Sequence, residues 1–245
     1  MRLSKAWLVA TRDFKVFSKQ KNIWYPIVAF PIIISIIFPL VLNFAQARNA
    51  EITATNLTNL MNSFSFFFII GAAFIPLSIA SYSIVGEKVE KSLEPLLATP
   101  LTDGEILLGK AISALLPTLI VMYAASVVFM FGMNHVSFDK LGYYFYPNWT
   151  LGVLLLVLLP IAAVLSILFS IIVSSKVADV RSASSYGLLM FFPFIAIYLA
   201  SETNLLTLDV NNLLIISGIL LAVDVALFFV STATFRREEI LTKWK

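Results

Sequence analysis

The chain has 245 residues, 60% of them hydrophobic and only 13% charged, with a formal net charge of +3. Its mean hydropathy of +0.93 is far from the balance of a water-soluble domain, so it reads as an integral membrane protein with too little polar sequence to carry a fused soluble enzyme. It contains no cysteine, which removes disulfides and thiolate metal sites from consideration.

In residues 1–22, Leu3, Trp7, Ala10, Phe14 and Phe17 recur at steps of four and three, while Arg2, Lys5, Arg12, Lys15 and Lys19 fall largely elsewhere. The pattern predicts an amphipathic helix lying in the membrane interface. A helix needs about 20 apolar residues to cross the ~30 Å hydrocarbon core. Six such windows occur, at about 23–44, 64–85, 111–133, 150–173, 185–201 and 212–234. Ala45-Gln46-Ala47 imitates a signal-peptidase site, but the apolar run before it is longer than a signal h-region, so the first window is expected to stay as an uncleaved span.

The connections 45–63, 134–149 and 202–211 are short and are expected as loops on one side; Tyr143, Tyr144, Tyr146 and Trp149 match an interfacial aromatic belt. Of the seventeen Lys and Arg, all but Arg48 and Lys140 lie on the side of the termini. The positive-inside rule therefore predicts both termini in the cytoplasm. Pro26, Pro31, Pro39, Pro76, Pro117, Pro160 and Pro193 fall within the first five windows. Each removes a backbone hydrogen bond and predicts a kink that neighbouring helices must accommodate. Ser166, Ser170 and Ser174 have the small-xxx-small spacing that lets another helix approach closely.

Residues 86–110 form a charged island between the second and third windows. Leu93, Leu96 and Leu97 gather on one side of a short predicted helix, Glu87, Lys88, Glu90, Lys91 and Glu94 occupy other sides, and Pro100 ends it. Thr102-Asp103-Gly104-Glu105 then reads as a capping box opening the helix that becomes the third span. A push on the first part is thereby passed to that span as by a lever. Gly104 to Lys110 has the spacing of a phosphate-binding loop, but Ala111 stands where Ser or Thr would hold magnesium and the intervening residues are helix formers.

The island resembles the segment between the second and third spans of ABC-2 type exporter permeases, whose pattern runs roughly E-R-E-x-G-T-L-E-x-L-L-x-T-P followed by E-I-x-x-G-K. Glu87, Ser92, Leu93, Glu94, Leu96, Leu97, Thr99, Pro100, Glu105, Ile106, Gly109 and Lys110 fit it; Lys91 stands at the usual glycine and Val89 at the second acid. The leading helical face is likewise similar to the membrane-parallel helix that precedes the first span in that family. The resemblance implies an all-α, six-span membrane protein with an N-terminal interfacial helix. Glu87, Lys88, Glu90, Lys91, Leu93, Glu94, Leu96 and Leu97 would form a coupling helix docked on a separate cytoplasmic ABC ATPase subunit. It further implies a second permease copy, as a homodimer, in the cell membrane, with efflux as the outcome. Catalysis and cofactors are expected on the partner, which would hold ATP and magnesium, and no nucleic acid is expected. The substrate stays open among sodium, drugs, lipids, peptides and sugars.

Asp224 is the one acid well inside a window. A carboxylate at bilayer depth costs about 2.5–3.5 kcal/mol on insertion scales. It is therefore expected to face the bundle interior or a wet cavity, either as a proton or sodium site or as a hydrogen-bonded packing group. The second and fifth spans tend to line the route in ABC-2 exporters, so the resemblance implies Phe67, Phe68, Phe191 and Phe192 as pathway residues, a lipid-facing surface explaining the same phenylalanines; Asp224 joins them as a pathway candidate by its depth alone. His135 is the single histidine and is expected in an outer loop, which leaves no Ser/His pair or zinc helix to assemble. Two other classes remain: an ATP-independent, ion-coupled transporter or channel using Asp224, and a non-transporting membrane scaffold. Copurification of an ATPase and transport in sealed vesicles separate the three.

Overall fold

Inside hydrocarbon a chain must satisfy its backbone hydrogen bonds internally, and these apolar windows do so as helices. The computed structural model describes residues 3–18, 21–48, 53–81, 83, 101–177, 180–203 and 205–234, and no strand occurs among them. Helix α1 is Leu3–Phe17, α2 is Lys21–Ala47, α3 is Ala54–Ser81 and α4 is Asp103–Leu141. Helix α5 starts as Trp149–Val153, passes through a π-helical turn at Leu154–Leu158 and continues as Leu159–Lys176. Helix α6 joins Val180–Gly187, a 3-10 turn at Leu188–Met190 and Phe191–Glu202, and α7 is Val210–Thr234. Each of α2 to α7 contains a stretch long and apolar enough to cross a membrane. The protein is thus an all-α, multi-pass membrane protein. With six crossings, α1 and the far end of α7 belong to one face, called the terminal face below.

Helix α3 is the axis of the bundle, packed between α4 and α5 and also met by α2 and α6; α2 lies mainly on α4, and α7 on α5. Phe66, Phe68, Ile69 and Ala72 of α3 are fully enclosed. The serine stripe of α5 faces α3: Ser166 Oγ donates to the Ala73 carbonyl and Ser170 Oγ to that of Leu77, at 3.4 Å. These two contacts bracket Pro76, so the small-residue face both allows close approach and supplies donors beside the kink. Pro39 seats against Gly132 of α4, where a Cβ would come within 2.8 Å of its ring. Pro160 and Pro193 follow the π and 3-10 turns, local changes of winding that relieve the clash of a proline ring with the preceding carbonyls.

Two helices outrun their apolar windows. Helix α3 begins at Ala54 because Leu57 and Met61, one turn apart, are both fully buried and draw the Asn/Thr-rich stretch into the helix. Helix α4 continues to Leu141 and ends on Gly142, whose φ of 72° is the left-handed cap conformation. His135 therefore sits on an exposed face of α4, not in a loop.

Tyr146 also departs from expectation. Tyr143, Tyr144 and Trp149 are exposed as a belt requires, but Tyr146 is 2% exposed. Its hydroxyl donates to the Met61 carbonyl at 2.8 Å, and Asn134 grips its backbone with bonds of 2.7 and 2.9 Å. Burial raises its phenol above the ordinary 10.0, against a smaller lowering from Ser65. The side chain is a plug between α3 and α4, and alternation of aromatic residues cannot distinguish that role from a belt.

Candidate functional site

Helix α1 crosses the base of α4 and buries Ala6, Val9, Ala10, Asp13 and Phe17. This is not the whole apolar stripe read from the sequence: Leu3 is 74% and Trp7 50% exposed. One edge of the stripe packs on the protein and the other is left outward. The offset follows from Gly109 of α4, where a Cβ would stand 2.6 Å from Val9 Cβ and 2.7 Å from the Ala6 carbonyl oxygen. Only a residue without a side chain lets the two backbones meet there. Trp24 Nε1 donates to the Phe17 carbonyl at 3.1 Å and ties the end of α1 to α2.

The contact encloses a charged cluster. Lys110 Nζ, one residue beyond Gly109, donates to the Ser83 carbonyl at 2.5 Å and to Ser83 Oγ at 3.1 Å, and lies 3.7 Å from Asp13 Oδ2. Ser83 Oγ in turn donates to Asp13 Oδ2 at 3.0 Å. All three residues are at most 2% exposed. Asp13 Oδ1 is buried with no hydrogen-bond partner among the described residues. Burying an ammonium and a carboxylate is costly unless they are paired, and here the two face each other while the serine bonds to each.

The cluster's position gives it meaning. Ser83 follows α3 and Lys110 lies two turns into α4, so they flank the island at its two roots, and Asp13 fastens both to α1. Glu87, Lys88, Glu90, Lys91, Leu93, Glu94, Leu96 and Leu97 lie outside the described residues. The descending root is described and is capped as its sequence predicts: Thr102 Oγ1 accepts from the Glu105 amide at 3.3 Å, and the Thr102 amide donates to Glu105 Oε2 at 3.1 Å. The phosphate-loop look-alike is helical from Asp103 onward, and its Lys110 is committed to Ser83 and Asp13. Among the described residues no three His, Asp or Glu side chains converge as a metal site would require.

The five residues expected along a pathway do not share one surface. Phe68 is fully buried and meets Phe129 of α4 edge-on at 5.2 Å. Phe67 packs between Phe38 of α2 and Tyr198 of α6, with ring centroids at 4.8 Å from each. Phe191 meets Phe74 edge-on at 5.3 Å, and Phe192 is 65% exposed. Asp224, 5% exposed, belongs to a separate cleft bounded by α4, α5 and α7. Asp13 and Ser83 escape a reading by sequence. Asp13 leaves a trace as the lone acid of the basic leader, on the same side as Ala6 and Ala10; Ser83 leaves none.

A family model described as ABC-2 family transporter protein matches residues 7–213. The chain belongs to the ABC-2 transporter family. No curated protein matches it. The matched stretch begins inside α1 and ends inside α7, so the Asp13–Ser83–Lys110 cluster lies within the family domain. In an ABC-2 chain, which is the membrane-spanning subunit of an ABC transporter, the cluster joins three elements at the terminal face: α1, the exit of α3 and the entry of α4. Gly109 and Lys110, two positions of the recognised pattern, thereby acquire physical roles, one as a crossing point and the other as a clamp.

Proposed function

We propose that this chain is the permease subunit of an ATP-driven exporter, coupled through residues 86–110 to a separate cytoplasmic ATP-binding subunit. The buried clamp of Lys110 on Ser83 and Asp13 carries the reading. A device that converts movement of a cytoplasmic segment into movement of spans needs both roots of the segment held to the spans and to each other, and the clamp supplies this. The excess of Lys and Arg on the terminal face supports a cytoplasmic location for that face and for both termini. Leu93, Leu96 and Leu97 would fill a groove on the ATPase, with Glu87, Lys88, Glu90, Lys91 and Glu94 making rim pairs that fix register more than affinity.

Two copies of the chain working with two ATPase subunits complete the assembly in this proposal. ATP and magnesium are held by the partner, whose closure draws the two coupling segments together and switches the pathway between its inward-open and outward-open forms. The extensive exposed apolar surface of α2, α6 and α7 is compatible with lipid and with a second copy. The test is purification of the tagged chain from its native membrane: wild type is expected to bring down an ATP-hydrolysing subunit at constant stoichiometry, and Leu96→Asp to lose it while keeping its own yield. Wild-type protein that transports in sealed vesicles with no ATPase present would overturn the proposal.

A further inference from the structure

The cleft that holds Asp224 has a composition that specifies a ligand. Along α7, Leu213, Ser217, Asp224 and Ser231 are buried and Leu220 and Leu227 partly so, a four-three stripe that turns toward α5. Helix α7 packs on α5 but hardly meets α4. The gap left between them is a cleft of about 490 Å³ in the half of the bundle nearest the terminal face. Its walls are almost entirely hydrocarbon, from side chains such as Leu108, Ile112, Val164 and Phe228, and among the described residues Asp224 is the one ionisable group lining it. Asp224 Oδ1 is buried without a hydrogen-bond partner among the described residues. The nearby Ser231 hydroxyl donates to the Phe228 carbonyl at 2.9 Å. Leu221, Val225 and Phe229, on the cleft's rim, are more than half exposed, so the cleft is reached from the outer surface of the bundle.

A lone carboxyl in such a place needs a compensating donor. A desolvated sodium or calcium ion asks for several oxygen ligands, and among the described residues the lining offers little beyond one carboxyl and one hydroxyl. A phospholipid headgroup brings a phosphate as well, and among the described residues no Lys or Arg lines the cleft to receive it. An ammonium group attached to a hydrocarbon body satisfies both features at once: its N–H donates to the free carboxyl oxygen, and its body fills an apolar volume within the usual range for ligand sites.

We propose that this cleft binds a lipophilic amine, a hydrocarbon body carrying one protonated nitrogen, with Asp224 as the residue that recognises the ammonium. The test uses the full-length permease in phosphatidylcholine nanodiscs and needs no ATPase, so it fails or succeeds separately from the exporter reading. A diazirine-bearing dodecylammonium probe is cross-linked by light and its sites are mapped by mass spectrometry. Labelling is expected on the α4 and α7 walls, at least about tenfold weaker in Asp224→Asn, as befits loss of a charge-assisted hydrogen bond, and retained in Asp224→Glu. Ile112→Trp, which fills the cleft and leaves the carboxyl in place, is expected to block labelling and decides the matter should Asp224→Asn not fold. Equal labelling of Asp224→Asn, equal labelling by the dodecanoate analogue, or none in the cleft at saturating probe would overturn the proposal. So would displacement of the probe by phosphatidylethanolamine in the nanodisc, which would make the occupant a bilayer lipid, or cross-links between copies through the cleft, which would make it a protein interface.

Discussion

Replacing Lys110 by Met removes the ammonium from the clamp while keeping most of the side-chain volume. In the wild type Nζ stands 3.7 Å from Asp13 Oδ2, with both side chains 2% exposed. At an effective dielectric constant of ~20 that separation is worth about 4–5 kcal/mol of Coulomb attraction, much of it offset by the desolvation of both groups. Once the lysine is gone the desolvation cost of the carboxylate remains and the attraction does not, so the variant leaves a buried carboxylate that, among the described residues, keeps only the Ser83 hydroxyl. Breaking one side of a buried pair costs roughly 3–5 kcal/mol. Pairing Lys110→Met with Asp13→Leu removes the orphaned charge and should recover most of that loss, giving a coupling energy of about 2 kcal/mol or more. Stability is read by denaturant titration of the purified protein in mixed micelles. Docking of α1 is read by maleimide labelling of Ala10→Cys, a position fully buried against α4: it should be protected in the parent, reactive in Lys110→Met and protected again in the double variant. Additive losses, or an Ala10→Cys that stays protected in Lys110→Met, would refute the idea that this cluster pins α1 to the roots of the island.

Gly109→Ala should loosen the same crossing by overpacking, since its Cβ would fall 2.6 Å from Val9 Cβ and 2.7 Å from a backbone oxygen; a loss of roughly 1–3 kcal/mol in the same titration is expected, with unchanged stability counting against the close approach. Cysteine introduced at Asn56 should react with an impermeant maleimide in intact cells and at Ser92 should not; reaction at Ser92 alone would invert the proposed orientation. Tyr146→Phe deletes the 2.8 Å bond to Met61 and should cost about 0.5–1.5 kcal/mol. In the wild type, burial raises the Tyr146 phenol above 10.0, so above pH 10 the unfolded chain releases that proton while the folded protein keeps it. Stability therefore falls as pH rises beyond 10. Tyr146→Phe should show a shallower decline there, and equal slopes would contradict the burial argument.

Much of this molecule follows from local sequence. Apolar length and the need for internal backbone hydrogen bonds make six helices unavoidable, and the spread of Lys and Arg sets the expected orientation. Thr102 and Glu105 write their capping box within four residues. The 166–170–174 serine spacing announces a close helix contact, although not which helix answers it. These features are legible because the partners lie within a turn or two of each other, where helical geometry alone fixes their separation. The clamp is of another kind. Ser83 meets Asp13 across 70 residues of sequence and Lys110 meets Ser83 across 27, and whether they touch depends on the angle at which α1 crosses α4, set by Gly109 against Val9 and Ala6. The same holds for Tyr146, which the packing of α3 on α4 takes out of the aromatic belt, and for Asp224, whose inward stripe the sequence carries but whose apolar cleft exists only because α7 leans on α5 and leaves α4 uncovered. Periodicity tells which side of a helix is apolar; the tertiary packing decides what that side meets, because contact between distant segments is fixed by crossing geometry that no single helix contains.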